Sequence, residues 1–149
     1  MIEPIKRSGF PLPPRGWPLV ALLAVFILAG LIGHDPWKND DAVTIGVVAD
    51  MLQRGHWLAP HLADRPYPDA PLYYWSAAVT GFAFSWLLPL HDAIRLASGF
   101  WVALILFLLY RAGREWHCYQ EAPQEFAIAS VLAMAGCLGF LVHAHEAQP

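Results

Sequence analysis

The distribution of charge along this chain constrains its fold more than any other feature. Nine Lys and Arg and twelve Asp and Glu are shared among 149 residues, yet none falls in 17–33, 72–90, 96–110 or 126–142. A soluble domain spreads charge over every surface element, whereas four uncharged apolar blocks separated by charged joints are the organisation of a polytopic helical membrane protein. Composition agrees: 57% of residues are hydrophobic, 14% are charged, and the mean hydropathy is +0.41. The blocks run 15 to 19 residues, at the short end of the roughly 17–25 that a spanning helix needs at about 1.5 Å per residue. Trp17, Trp101, Tyr110 and Trp116 can extend them as interfacial anchors. Barrel strands alternate polar and apolar residues, and these blocks do not, so the expected class is all-α.

Orientation follows from the basic residues. Lys6, Arg7 and Arg15 precede the first block and place residues 1–16 in the cytoplasm. No small-x-small cleavage pattern closes the run at Ile32 and Gly33, so 17–33 reads as a retained transmembrane helix. Residues 34–92 then form an external loop, in which Pro36, Pro60, Pro66, Pro68 and Pro71 forbid one long helix. Inside that loop Ile45, Val48, Ala49 and Leu52 recur at helical spacing, predicting an amphipathic helix over 41–53 on the membrane surface. Asp40 or Asp41 stands near its N-terminus, where the helix dipole favours negative charge. The block 72–90 carries Ser76, Thr80, Gly81 and Ser85 and is either interfacial or spanning. If it spans, Arg111 and Arg114 emerge outside; the positive-inside rule prefers the interfacial choice. On that choice 93–110 spans inward, 111–124 is a cytoplasmic joint, 125–142 spans outward and 143–149 is external. The chain stops at Pro149 just after a helix and a polar turn, which reads as the N-terminal part of something longer.

Several functions are disfavoured by the same inspection. A net charge of −3 offers no basic footprint for nucleic acid. The apolar blocks lack the ionisable residues of an ion pathway, which argues against a transporter. Cys118 lies in a joint and Cys137 inside an apolar block, so the two suggest neither a disulfide nor, alone, a metal site. His143, His145 and Glu146 are metal-capable, but histidines two apart on a helix point to different sides, and a solvated helix end is the simpler reading. His56 and His61 read in the same way as incidental loop residues.

Five short pieces in order carry more information. They are Asp40-Asp41; Gly55-His56-Trp57-Leu58-Ala59-Pro60; Pro66-Tyr67; Ala70-Pro71-Leu72-Tyr73-Tyr74-Trp75; and Ala93-Ile94-Arg95-Leu96. Over about 110 residues this order and spacing resembles the N-terminal part of the integral-membrane glycosyltransferases of the dolichyl-phosphate-mannose protein mannosyltransferase and 4-amino-4-deoxy-L-arabinose transferase family. The resemblance implies a GT-C type fold whose large external first loop contains juxtamembrane helices. It also implies a polyprenyl-phosphate-linked sugar donor, an external lipid or protein acceptor such as lipid A, and an active side facing the periplasm from the bacterial inner membrane. Asp40 matches the family's catalytic aspartate, Asp41 its following glutamate, Asp69 the acid before the proline run and Arg95 the loop arginine. Ala70 stands where the family usually keeps a lysine.

The chemistry asked of those residues is modest. A sugar on a polyprenyl phosphate is already activated, so transfer needs in-line attack, a base for a hydroxyl acceptor and cations for the departing phosphate. Asp40 supplies the carboxylate. Two acids side by side at a low-dielectric boundary resist double ionisation or recruit a cation. Arg95 can clamp a phosphate bidentately, with Lys38, Arg54 and Arg65 as further candidates. Tyr73, Tyr74 and Trp75 serve as an aromatic belt or a sugar platform. The plainer alternatives are that Asp40 or Asp41 only caps a helix and that Arg95 only snorkels. No particular cofactor follows from the sequence, and a divalent metal stays open. The leading expectation is a membrane glycosyltransferase, incomplete at 149 residues. The alternative is a small non-catalytic membrane relative that binds a partner or the lipid carrier.

Overall fold

The computed structural model describes residues 17–29, 31–33, 39–69, 71–119 and 122–137. Among them five helices appear in order: α1 (Trp17–Leu28), α2 (Asn39–Arg54), α3 (Leu72–Phe84), α4 (Leu90–Trp116) and α5 (Pro123–Ala135). The only sheet among these residues is a two-stranded antiparallel hairpin between α2 and α3, pairing β1 (His61–Leu62) with β2 (Arg65–Pro66). The helical expectation therefore holds at the level of class. The hairpin was not legible because its turn is Ala63-Asp64, both with positive φ (49° and 66°), where Gly or Asn is the usual signal.

α4 is the central element. At 27 residues it is the one described helix long and apolar enough to cross a membrane, with a length of about 40 Å at 1.5 Å per residue. Its helix starts at Leu90 and continues through Arg111 and Arg114, so the joint expected from 111 onward begins as helix. α3 covers only 13 residues, about 20 Å, which is short of a hydrocarbon core of about 30 Å. α1 is an apolar helix of 12 residues.

Small residues bring the helices together. Tyr74, Ala77, Ala78 and Gly81 form the buried face of α3. They meet Ile94 and Ala97 of α4 and Val47, Val48 and Met51 of α2 in one apolar cluster. At the other end Val102 and Leu106 of α4 pack on Val131 of α5, with Leu23, Phe26 and Ile27 of α1 alongside. Gly113 admits α5 to the surface of α4: a Cβ there would lie 3.0 Å from the Ala127 Cα. Such close small-residue approach is the usual way apolar helices gain contact when lipid competes for the rest of their surface.

α2 differs in detail from its sequence expectation. Its buried residues are Asp41, Thr44, Val47, Val48 and Met51, whereas Ile45 and Leu52 are only partly buried. The inward face is thus turned toward two polar side chains that hydrophobic periodicity cannot select. α3 and α4, rather than solvent, cover that face.

Candidate active site

The stretch Asn39-Asp40-Asp41 opens α2, with both acids in the first turn, where the unpaired backbone N–H groups favour carboxylates. A helix rotates successive side chains by about 100°, so the two adjacent acids cannot face the same way. Asp41 points inward and is 1% exposed. Asp40 is exposed, and no hydrogen bond or ion pair among the described residues engages it.

Asp41 meets Arg95 of α4. Arg95 Nη2 donates to Asp41 Oδ2 at 2.5 Å, and Nε lies 3.4 Å from Oδ1. The Arg95 guanidinium is fully enclosed, and its Nη1 donates to Asp92 Oδ1 at 3.4 Å. Asp92 sits one turn earlier in α4, in the first turn of that helix. Its other oxygen accepts the Gly33 N–H at 3.1 Å, and His91 Nε2 lies 3.6 Å from Oδ1. Gly33 has φ +89°, a conformation natural only to glycine, and this aims its N–H at α4. One arginine and two acids are thereby satisfied out of water. Among the described residues no buried polar side-chain atom lacks a hydrogen-bond partner. Of the two adjacent acids, Asp41 is the one paired with the Arg95 guanidinium.

This geometry changes what Arg95 can do. A phosphate clamp needs donors facing a ligand, whereas the Arg95 donors described above face Asp41 and Asp92 within a buried network. The arrangement suits positioning: it ties the start of α2, the segment after α1 and the start of α4 at one point. Asp92 was missed in the sequence. The signal present was an acid three residues before an arginine in "HDAIR", a helical i, i+3 ion pair.

Asp69 and Tyr74 come together against α2, where Tyr74 also meets Thr44. The Tyr74 hydroxyl donates to Asp69 Oδ2 at 3.1 Å. Burial is the main cause that pushes the Tyr74 hydroxyl well above the ordinary tyrosine value, and the Asp69 carboxylate adds to it, while a hydrogen bond with Thr44 acts the other way. Tyr74 therefore stays a neutral donor that orients Asp69. The aromatic triplet does not build one platform. Tyr73 turns to Ser98 of α4, with their hydroxyls 2.7 Å apart, and the Trp75 indole donates to the Trp57 carbonyl at 2.6 Å.

The remaining candidates are separate or outside the description. Arg54 pairs with Asp50 and Asp64 at the far end of α2, and Arg65 lies exposed in β2. Lys38, Ala70, His143, His145 and Glu146 lie outside the described residues. Cys118 and Cys137 are both free and exposed. Among the described residues no group of three or more His, Cys, Asp or Glu is arranged to hold a metal.

Comparison with known proteins bears on the resemblance directly. The chain is 34% identical over 94 residues to an undecaprenyl phosphate-α-4-amino-4-deoxy-L-arabinose arabinosyl transferase of Pectobacterium atrosepticum, covering 62% of this chain and 16% of the relative. A protein of the same name from Photorhabdus laumondii is 33% identical over 102 residues, 66% of this chain and 18% of the relative. Another from Pseudomonas savastanoi pv. phaseolicola is 33% identical over 120 residues, 77% of this chain and 21% of the relative. The chain thus spans about a fifth or less of the length of these relatives. No family profile matches it, and no solved structure does.

Proposed function

We propose that this chain, a relative of the undecaprenyl phosphate-α-4-amino-4-deoxy-L-arabinose arabinosyl transferases, forms the donor-side part of a membrane glycosyltransferase with a GT-C type fold. It moves a sugar from a polyprenyl-phosphate carrier to a lipid or protein acceptor on the periplasmic face of the inner membrane. The single observation that carries this reading is the division of the adjacent acids. Asp41 is consumed by a buried network with Arg95 and Asp92, and Asp40 is left exposed on the same helical turn, one residue away.

In this reading Asp40 takes the acceptor proton, or orients the acceptor, as its oxygen attacks the anomeric carbon and the carrier phosphate departs. Asp41, Arg95 and Asp92 are positioning residues that hold the helix start against α4 so that Asp40 has a defined place. Tyr74 and Asp69 line the same region, with Asp69 available to sugar hydroxyls. The shortness of α3 supports an interfacial rather than spanning element. It then sends the end of α4, with Arg111 and Arg114, to the cytoplasm and keeps α2 and the hairpin outside.

The test is Asp40→Asn in the full-length protein, with sugar transfer from an undecaprenyl-phosphate donor measured in membranes. Transfer is expected to fall at least about a hundredfold, as for loss of a general base, while protein abundance stays level. Undiminished transfer removes Asp40 from the chemistry.

A further inference from the structure

At the far end of α2 the chain builds a second arrangement that the transfer chemistry does not use. Gly55, with φ +77°, ends the helix by donating its N–H to the Met51 carbonyl. The turn it permits brings His56 back over the last turn of α2, where its Nδ1 lies 2.8 Å from Asp50 Oδ2. Five residues on, at the start of β1, His61 Nδ1 lies 2.7 Å from the Ala59 carbonyl oxygen. The two imidazole rings then approach to 4.3 Å between centroids at an angle of 38°.

The partners fix the tautomers. A carbonyl oxygen only accepts, so His61 Nδ1 carries the proton. Asp50, whose other oxygen faces Arg54 Nε at 3.4 Å, likewise accepts from His56 Nδ1. Each neutral ring therefore keeps its lone pair on Nε2. A carboxylate behind one ring and a backbone carbonyl behind the other are the outer partners that metal-ligating histidines characteristically have, since they fix the ring and raise its basicity. Ring spacing narrows the choice of ion. With metal–nitrogen distances of about 2.0–2.1 Å, two imidazoles on one ion have centroids about 4.5 Å apart at a right angle and about 5 Å apart at the tetrahedral angle. At 4.3 Å the rings stand closer than in either arrangement and nearer the right-angled one, the arrangement of tetragonal Cu(II) and Ni(II), and the affinity order of divalent ions for imidazole likewise puts Cu(II) first.

We propose that His56 and His61 form a two-imidazole site for a late first-row divalent cation, in the order Cu(II), Ni(II), Zn(II), with water completing the shell. The site is independent of sugar transfer: α2 has 16 residues, which places Asp40 about 20 Å away along the helix. Its effect is to staple the β1–β2 hairpin onto the end of α2. Binding requires both imidazoles neutral, so protons compete with the ion as pH falls.

The experiment is a titration of the untagged, detergent-solubilised chain with Cu(II), read by electron paramagnetic resonance for nitrogen couplings of coordinated imidazole. A tetragonal spectrum with two equivalent nitrogens is expected. It should be lost in both His56→Ala and His61→Ala and kept in His91→Ala and His117→Ala, which alter imidazoles elsewhere in the fold. Asp50→Asn should weaken binding about tenfold while keeping the spectrum. Circular dichroism of each variant shows whether it is folded. A spectrum unchanged in the His56→Ala, His61→Ala double variant, or one nitrogen only in the parent chain, overturns the proposal.

Discussion

At its first two turns α4 buries Asp92 and Arg95 against α2 and the segment after α1, whereas at its last two it leaves Arg111, Arg114 and Glu115 in the open. One helix thus treats charge in opposite ways at its ends. Exposed charges at a helix end cost little and contribute little. Buried ones carry a desolvation cost that hydrophobic residues of the same size would avoid, so a buried arginine between two acids is poor evidence for stability and better evidence for a required geometry. In this chain the geometry is the placement of the α2 start, with Asp41 inward and Asp40 outward. The last turns of α4 hold no such buried ion network among the described residues, and there Gly113 lets α5 approach closely.

The contrast is easiest to break with arginine. Arg95→Ala removes the guanidinium that pairs with the buried Asp41 and Asp92 and is expected to cost about 3–5 kcal/mol. Arg111→Ala should stay within about 0.5 kcal/mol. Reversible unfolding in mild detergent, followed by circular dichroism, compares them, and equal losses would erase the distinction between the two ends.

Packing at the two ends can be sharpened with glycine. In Gly113→Ala the new methyl meets the Ala127 backbone at 3.0 Å, which moves only if α5 moves, and a loss of about 1–2 kcal/mol is expected. In Gly99→Ala the nearest atom is the Leu31 Cδ1 at 2.6 Å, the end of a side chain rather than backbone, so the shift required is smaller. There the helix gain of alanine over glycine offsets the strain, to a net of under about 1 kcal/mol. The same unfolding measurement ranks them.

Tyr74→Phe is expected to cost about 1 kcal/mol for the lost hydrogen bond to Asp69. Its signature is in pH. Because the folded hydroxyl is held above the ordinary value, the stabilisation it gives is complete below the unfolded tyrosine value of about 10 and is lost as pH rises beyond it. Stability of the parent should therefore fall more steeply above about pH 10 than that of the variant.

Much of this was legible in the residues. Charge-free blocks revealed α1, α4 and α5, helical spacing revealed α2, and the ordered pieces around Asp40 and Arg95 carried the resemblance that the relatives support. What escaped reading depended on contacts distant in the chain. Asp41 and Thr44 face inward because Arg95 and Tyr74 await them, and no local pattern gives an acid as a core residue. Asp92 fell at the end of the loop read as 34–92, whereas α4 already begins at Leu90. The hairpin turn at Ala63-Asp64 carries no glycine to announce it.

We assign the two adjacent acids separate duties, Asp41 in holding the helix start and Asp40 in the transfer step. Sugar transfer per folded molecule, measured side by side for Asp40→Asn and Asp41→Asn in the full-length protein, tests this assignment most directly. Asp40→Asn is expected to fold as the parent does and to lose transfer. Asp41→Asn should instead lower the unfolding midpoint, and its properly folded fraction should retain most of the transfer. The reverse assignment, with transfer surviving loss of the Asp40 carboxylate and vanishing in folded Asp41→Asn, would contradict it.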